Sequence, residues 1–204
     1  MRISELAAAT GTPVATLKFY LREGLLPKGE ATAATQATYG QAHVDRVRLI
    51  AALSSVRELP LAKVREILAV VDQPPSDVVH ATGQAVASLP PYPEPQDPTL
   101  ARARNVIEEL GLGFEPDYPA TAQLQAALDA LDSAGLPWTP EIARRYLDPL
   151  IEIGRDELAP MQQMGATSEA VTYAVLGTAL YEPLILALRR LVHHHLLTQR
   201  RQPR

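Results

Sequence analysis

Seven of the eighteen prolines lie between residues 74 and 98. Proline has no N–H to give and clashes with the preceding helical turn. Neither Pro74-Pro75 nor the run Pro90-Pro91-Tyr92-Pro93-Glu94-Pro95 can therefore continue a helix. Nearly all of the remaining chain has helical spacing and an Ala/Leu-rich composition. These prolines divide an otherwise helical chain into an N-terminal domain over 1–72, a Pro-rich linker over 73–98 and an all-α domain over 99–204. Between the two proline clusters, Ser76 to Leu89 has room for a short helix. Only the stretch from Lys28 to Tyr39 reads as a small β-hairpin, with Gly29 available for its turn. The fold class is mostly α.

The first seventy residues carry dense start and stop signals. Ser4 caps a helix running to about Ala9, and Gly11 supplies a tight turn. Thr12-Pro13 reads as an N-cap with proline at the first helical position. The second helix ends near Glu23, with Gly24 as a left-handed cap. Two short helices joined by a tight glycine turn form a helix-turn-helix; Leu6, Val14, Leu17 and Leu25 are its expected core. A third helix is expected from Gln41 to Leu59 on a Val44, Val47, Ile50, Leu53 stripe. Pro60-Leu61 opens a fourth, using Val64, Ile67, Leu68 and Val71.

Net charge is -4, but it is unevenly spread. Residues 1–72 hold nine Lys/Arg against seven Asp/Glu, and residues 73–204 hold ten against sixteen. A mildly basic head thus precedes an acidic remainder. With no cysteine there are no disulfides and no thiolate metal sites, as suits a reducing compartment. The opening residues have no apolar leader core. The longest apolar run, near the C-terminus, is broken by Glu182, Arg189 and Arg190, so no membrane partner is expected. Together these features point to a cytoplasmic protein.

On the second helix, Thr16, Lys18, Phe19, Tyr20 and Arg22 are the expected exposed side chains. Lys18 and Arg22, four apart, share a face that can meet phosphates; Thr16 and the Tyr20 hydroxyl can reach phosphate oxygens or base edges. Three sets of residues carry a wider pattern. The first comprises Arg2-Ile3-Ser4-Glu5-Leu6-Ala7, Gly11 through Tyr20, and Glu23-Gly24-Leu25-Leu26-Pro27. The second comprises Tyr39 and His43 through Ile50, and the third Leu61 through Leu68. In this order and spacing they resemble the N-terminal domain of the MerR family of regulators. The resemblance implies a winged helix-turn-helix with a β-hairpin wing and a helical second wing, working as a homodimer on a near-palindromic promoter operator in double-stranded DNA. It further implies a nucleoid-associated bacterial protein that distorts promoter DNA so that RNA polymerase can engage. Carried onto this chain, Lys28, Thr38 and Tyr39 belong to the first wing and Lys63 to the second.

The chain departs from the family pattern in three places. Lys18-Phe19-Tyr20 stands where the family has Arg-Tyr-Tyr, so the bidentate fork of Arg and one hydroxyl are lost. Ala37 stands where the wing has Arg, inside an uncharged stretch from Ala31 to Ala42. The proline clusters interrupt the long dimer helix that follows the fourth helix in many members, which shifts dimerisation toward the C-terminal part.

That part reads as helices from Thr99 to Leu110, from Pro119 to Ser133, from Thr139-Pro140 onward, and from Ser168 to Thr198. The third is expected to place Ile142, Tyr146, Leu150 and Ile153 on one face, and Pro149 and Pro183 are expected to kink the last two. The final helix is apolar nearly all round, which requires a core or a subunit interface to cover it. Trp138, Tyr146, Tyr173 and Tyr181, with the carboxylates Glu157 and Glu182, are the side chains available to line an effector pocket for an apolar or cationic small molecule. His193-His194-His195 cannot converge on one ion, because successive helical residues point about a hundred degrees apart. No metal or cofactor is expected. No phosphate loop or nucleophile elbow is present, so the chain is not read as an enzyme. The alternative to an effector sensor is a DNA-tethered adaptor whose helical domain binds a partner protein.

Overall fold

The computed structural model describes residues 1–33, 36–90 and 99–199. It is mostly α-helical with one two-stranded antiparallel sheet. The chain forms two compact units, one of residues 1–73 with 175–204 and one of residues 74–174.

The first unit begins with α1 (Ile3–Thr10) and α2 (Val14–Arg22). The start of α1 differs from expectation. Its N-cap is Arg2, whose N–H donates to the Glu5 carboxylate at 2.6 Å, and Ser4 already lies inside the helix. Pro13 likewise sits at the N-cap of α2, one place earlier than expected. Gly11 and Gly24 both take the left-handed backbone that closes the two helices (φ 66° and 71°).

Strands β1 (Glu30–Ala33) and β2 (Gln36–Thr38) pair Glu30 with Thr38 and Ala31 with Ala37. Gly29 does not make their turn. It lies just ahead of β1, where a Cβ would meet the Thr38 carbonyl oxygen at 2.5 Å, so close backbone approach is what requires glycine. Met1 and Tyr39 exchange two backbone hydrogen bonds of 2.8 Å, anchoring the hairpin to the start of α1.

Helix α3 (Gln41–Ala51) is opened by His43, whose Nδ1 accepts the Gly40 N–H at 3.0 Å. Regular helix stops at Ala51, short of the expected Leu59, and a π-helical turn runs from Ala52 to Val56. Arg57 and Glu58 follow, Glu58 with φ 54°. Helix α4 (Leu61–Asp72) then starts behind Pro60. The core of this unit holds Leu6, Leu17, Leu25, Leu26, Val44, Val47, Ile50, Leu53, Val64, Ile67 and Leu68. Val14 is half-buried at its edge.

The second unit holds α5 (Val78–Ala87), α6 (Ala101–Glu109), α7 (Pro119–Ser133) and α8 (Pro140–Leu158). Asp77 caps α5 by accepting the Val79 N–H. The proline run over 91–98 lies outside the described residues. Helices α6 and α7 are locked by a buried amide: the Ala103 N–H donates to Gln125 Oε1 at 3.0 Å, while Gln125 Nε2 donates to Asp129. Arg102 spans the same pair, donating to the Leu128 carbonyl and meeting Asp129 and Asp132. Both polar ends of the buried Gln125 are therefore satisfied, as a core amide requires.

The apolar face expected on α8 is only partly covered. Ala143 is buried, Ile142 is half-buried, and Tyr146, Leu150 and Ile153 are exposed. Pro149 stays within the helix.

The last helix, α9 (Thr167–Gln199), belongs to both units and contains Pro183. Ala170, Val171, Ala174, Val175 and Ala179 on its first half are buried, and the large side chains from Leu180 onward are mostly exposed. The expectation that no segment is apolar enough to span a bilayer needs correction. By length and composition alone α9 qualifies, with mean hydropathy 1.5 over an 18-residue stretch. The interrupting charges are too few to lower that average.

Candidate nucleic-acid interface

Helix α2 presents two different faces because Leu17 and Tyr20, three residues apart, both turn inward. Tyr20 is only 7% exposed, which corrects its expected place on the outer face. Its position is fixed by helical spacing, and its carbonyl closes the following turn by accepting the N–H groups of Leu25 and Leu26.

The outer face carries Lys18 and Arg22, both exposed, with Thr16 and Phe19 half-buried between them. The Arg22 guanidinium lies 5.4 Å from the Phe19 ring centroid, within cation–π range, and Phe19 packs tilted on Tyr20 at 6.0 Å. Phe19 thus joins the outer cation to the inner core, and it aims Arg22 without needing a hydroxyl.

Two long-range ion pairs set the tilt of this helix. At its end, Glu23 pairs with Arg65 of α4 at 2.7 Å. Behind it, Arg46 of α3 donates from Nε to the Leu25 carbonyl at 2.8 Å and forks onto both Asp72 oxygens at 2.8 and 2.7 Å. The Arg46 side chain is only 9% exposed, so one guanidinium ties the loop after α2 to α3 and to the end of α4. Sequence reasoning did not single out Arg46 or Arg65 for this work. Their partners lie 26 and 42 residues away, and no local periodicity signals such a pairing.

Lys28 is exposed just before β1. The Thr38 hydroxyl donates to the Glu30 carbonyl at 3.5 Å. Tyr39 is buried, packed edge-on against His43 at 5.2 Å, so its ring supports the wing from beneath. This too corrects an expected surface position. Ala37 is half-buried, and the hairpin tip at 34–35 lies outside the described residues. Lys63 pairs with Glu66 at 2.6 Å along the exposed side of α4.

The six residues expected to line an effector pocket are divided between the two units, Trp138, Tyr146, Glu157 and Tyr173 in the second and Tyr181 and Glu182 in the first. Trp138 and Tyr146 are neighbours, with ring centroids 5.8 Å apart. Trp138 lines a cavity of about 120 Å³ with Arg102, Val106, Leu110, Pro140 and Ala143. Its Nε1–H is buried with no hydrogen-bond partner among the described residues. Glu157 sits eleven residues beyond Tyr146 on α8, and Tyr173 on the first half of α9. Tyr181 and Glu182 belong to the first unit, where the Glu182 carboxylate pairs with Arg57 at 2.9 Å.

Comparison with known proteins agrees with this geometry. The family model of MerR helix-turn-helix regulatory proteins matches residues 1–70. A crystal structure from Streptomyces coelicolor A3(2), presented as that of a transcriptional regulator, is similar along the whole chain. It shares 32% sequence identity, with a TM-score of 0.77 over 100% of this chain and 99% of that one. No curated protein matches the chain.

Proposed function

Since the chain belongs to the MerR family of DNA-binding transcription regulators, we propose that it works as a cytoplasmic, nucleoid-associated homodimer on a near-palindromic promoter operator, where it adjusts promoter DNA for RNA polymerase. In this reading α2 enters the major groove. Lys18 and Arg22 meet phosphates or base edges from its outer face, Thr16 adds a hydroxyl, and Phe19 holds Arg22 in place. Lys28 and Thr38 follow the backbone along the first wing, and Lys63 exchanges Glu66 for phosphate on the second. Tyr20 and Tyr39 contribute mainly as supports, with contact limited to their hydroxyls. The observation that carries this reading is the split character of α2, whose buried Leu17 and Tyr20 leave a cationic outer face with no structural task in the core.

The test uses duplexes selected from a random pool by the full chain. Each phosphate contact contributes about 0.9 to the slope of log K against log salt. Lys18→Ala with Arg22→Ala should flatten that slope by about 2 and weaken binding. An unchanged slope and affinity would remove α2 from the interface.

The Trp138 cavity supports effector sensing by the second unit. An orphaned buried donor in a cavity lined by Val106, Leu110, Pro140 and Ala143 together with Arg102, Glu109 and Thr139 suits a small molecule with an apolar body and at least one hydrogen-bond acceptor. The adaptor reading has an observation of its own in the exposed Tyr146, Leu150 and Ile153 stripe on α8, a surface that suits a partner helix. Thermal shift of wild type and Trp138→Phe across small carbonyl compounds separates the two: a sensor shifts only with its indole N–H intact, and an adaptor does not shift at all.

A further inference from the structure

From residue 180 onward, α9 loses its cover. Leu180, Tyr181, Leu184, Leu186, Leu188, Leu191, Val192, Leu196 and Leu197 are all between 39% and 63% exposed. Six of them, Leu180, Tyr181, Leu184, Leu188, Leu191 and Val192, fall on one side of the helix and together show on the order of 500 Å² of apolar surface, whereas Leu186, Leu196 and Leu197 point away from it. That is toward the upper end for the largest apolar patch of a soluble monomer, and more than half of the roughly 800 Å² that one partner gives to a standard interface.

The pattern of these residues points to what covers them. Tyr181, Leu184, Leu188 and Leu191 follow one another at spacings of three, four and three, the seam of a helix pair. The seam is self-complementary when two copies run antiparallel. Tyr181 then faces the second copy's Leu191, Leu184 faces its Leu188, and the next layer sets the bulky His195 against Gly177. A parallel pairing would instead stack His195 on His195 and gather Arg189, Arg190 and His193–His195 of both copies at one end. A lipid bilayer fits poorly, because those same residues would lie in or beside the apolar span, where charge is costly.

We infer that the distal half of α9, from Leu180 to Thr198, is the dimer seam and that it takes α9 of a second copy in antiparallel register. This rests on the homodimer reading above. It assigns the seam to the end of the chain and away from α5, whose ten residues extend only about 15 Å. The same stretch carries Glu182, paired with Arg57 beside the π-helical turn of the DNA-reading head. A seam there is joined directly to the head.

The test is sedimentation of the full chain, wild type and Leu188→Glu with Leu191→Glu, at micromolar concentration. Both leucines are exposed, so the chain's own core is left intact. Wild type should be a dimer, and the variant a folded monomer with its dissociation constant raised at least a hundredfold. A dimeric variant would overturn the seam and leave the homodimer standing; a monomeric wild type would overturn both. If the variant fails to fold, the cysteine-free background allows a direct check. Leu184→Cys mixed with Leu188→Cys should form mixed disulfides faster than either alone, whereas equal or faster self-linking would refute the antiparallel register. Flotation of wild type with vesicles of phosphatidylethanolamine and phosphatidylglycerol would also overturn the inference, since lipid would then cover α9.

Discussion

Arg46 offers the sharpest test of how the end of α2 is held. Arg46→Ala strips the Leu25 carbonyl of its 2.8 Å donor in a loop where Leu25 is only 1% exposed. A buried acceptor left without a partner costs about 1–3 kcal/mol. The fork onto Asp72 adds less, about 0–1 kcal/mol, because that carboxylate is half exposed and screened. The total, about 1–4 kcal/mol, corresponds to a Tm lower by roughly 2–16 °C for a chain of this size. Two further variants apportion the loss. Asp72→Asn should cost no more than about 1 kcal/mol. Arg46→Lys keeps the charge but offers one ammonium to two separated partners, and should fall between wild type and Arg46→Ala. Thermal melts followed by circular dichroism, paired with operator binding, read both stability and helix placement. The reasoning is refuted if Arg46→Lys melts with wild type, or if Asp72→Asn costs as much as Arg46→Ala. In the first case the fork does not matter; in the second the carbonyl contact does not.

Other substitutions probe separate parts of the chain. Gly29→Ala would force a methyl to within 2.5 Å of the Thr38 carbonyl oxygen, so it should shift the wing at a cost of about 1–3 kcal/mol; a melt and an operator affinity identical to wild type would contradict that. Glu182→Ala removes the 2.9 Å carboxylate from Arg57, whose side chain is 12% exposed. It should destabilise the first unit by about 1 kcal/mol, discounted because Glu182 is itself 45% exposed, as read by denaturant titration. At the start of α8, the Thr139 hydroxyl holds the Glu141 carboxyl below its usual range, helped by the Glu141 backbone N–H and by Arg144 and Arg145. A depressed folded-state value favours the fold above the ordinary carboxylate pKa, and the benefit fades as pH falls through the folded one. Thr139→Ala should raise the Glu141 midpoint toward the ordinary value in an NMR titration; an unmoved midpoint would mean that another group sets it.

Legibility in the sequence followed the range of each interaction. The helix at 119–133 was readable to the residue, and the start of the one at 140–158 likewise, because Pro119 and Pro140 mark where they begin; no end was legible for the second. Gly11 and Gly24 were readable because a left-handed residue must end each helix. Gly29 was misread as a turn because a close approach between Gly29 and Thr38 leaves no local mark. The buried positions of Tyr20 and Tyr39 were hidden for the same reason. An aromatic with a hydroxyl suits a contact surface and a core edge equally well, and only the surrounding elements decide. The break at Ala51 also escaped, since Ala52 to Leu59 keeps helical composition while the chain takes a π-turn and a left-handed Glu58.

Helix α9 shows where periodicity stops being informative. Its spacing states that nearly every face needs cover but does not say from what. The size of the side chains says more than their hydropathy. Where the helix meets its own chain, the buried positions are Ala170, Val171, Ala174, Val175 and Ala179, small or β-branched residues that let neighbouring backbones come close. Where it is uncovered, the large apolar positions are Leu and Tyr except for Val192, mostly long side chains that fill the wider gap of a helix pair. The change falls between Ala179 and Leu180, within a few residues of Glu182, the one acidic side chain after Glu169 on this helix and the one that grips Arg57. One helix thus changes task midway, from packing inside its own chain to presenting a surface. The ion pair to Arg57 stands where that change occurs, so a displacement of the distal half of α9 would pull on Arg57, which directly follows the π-helical turn.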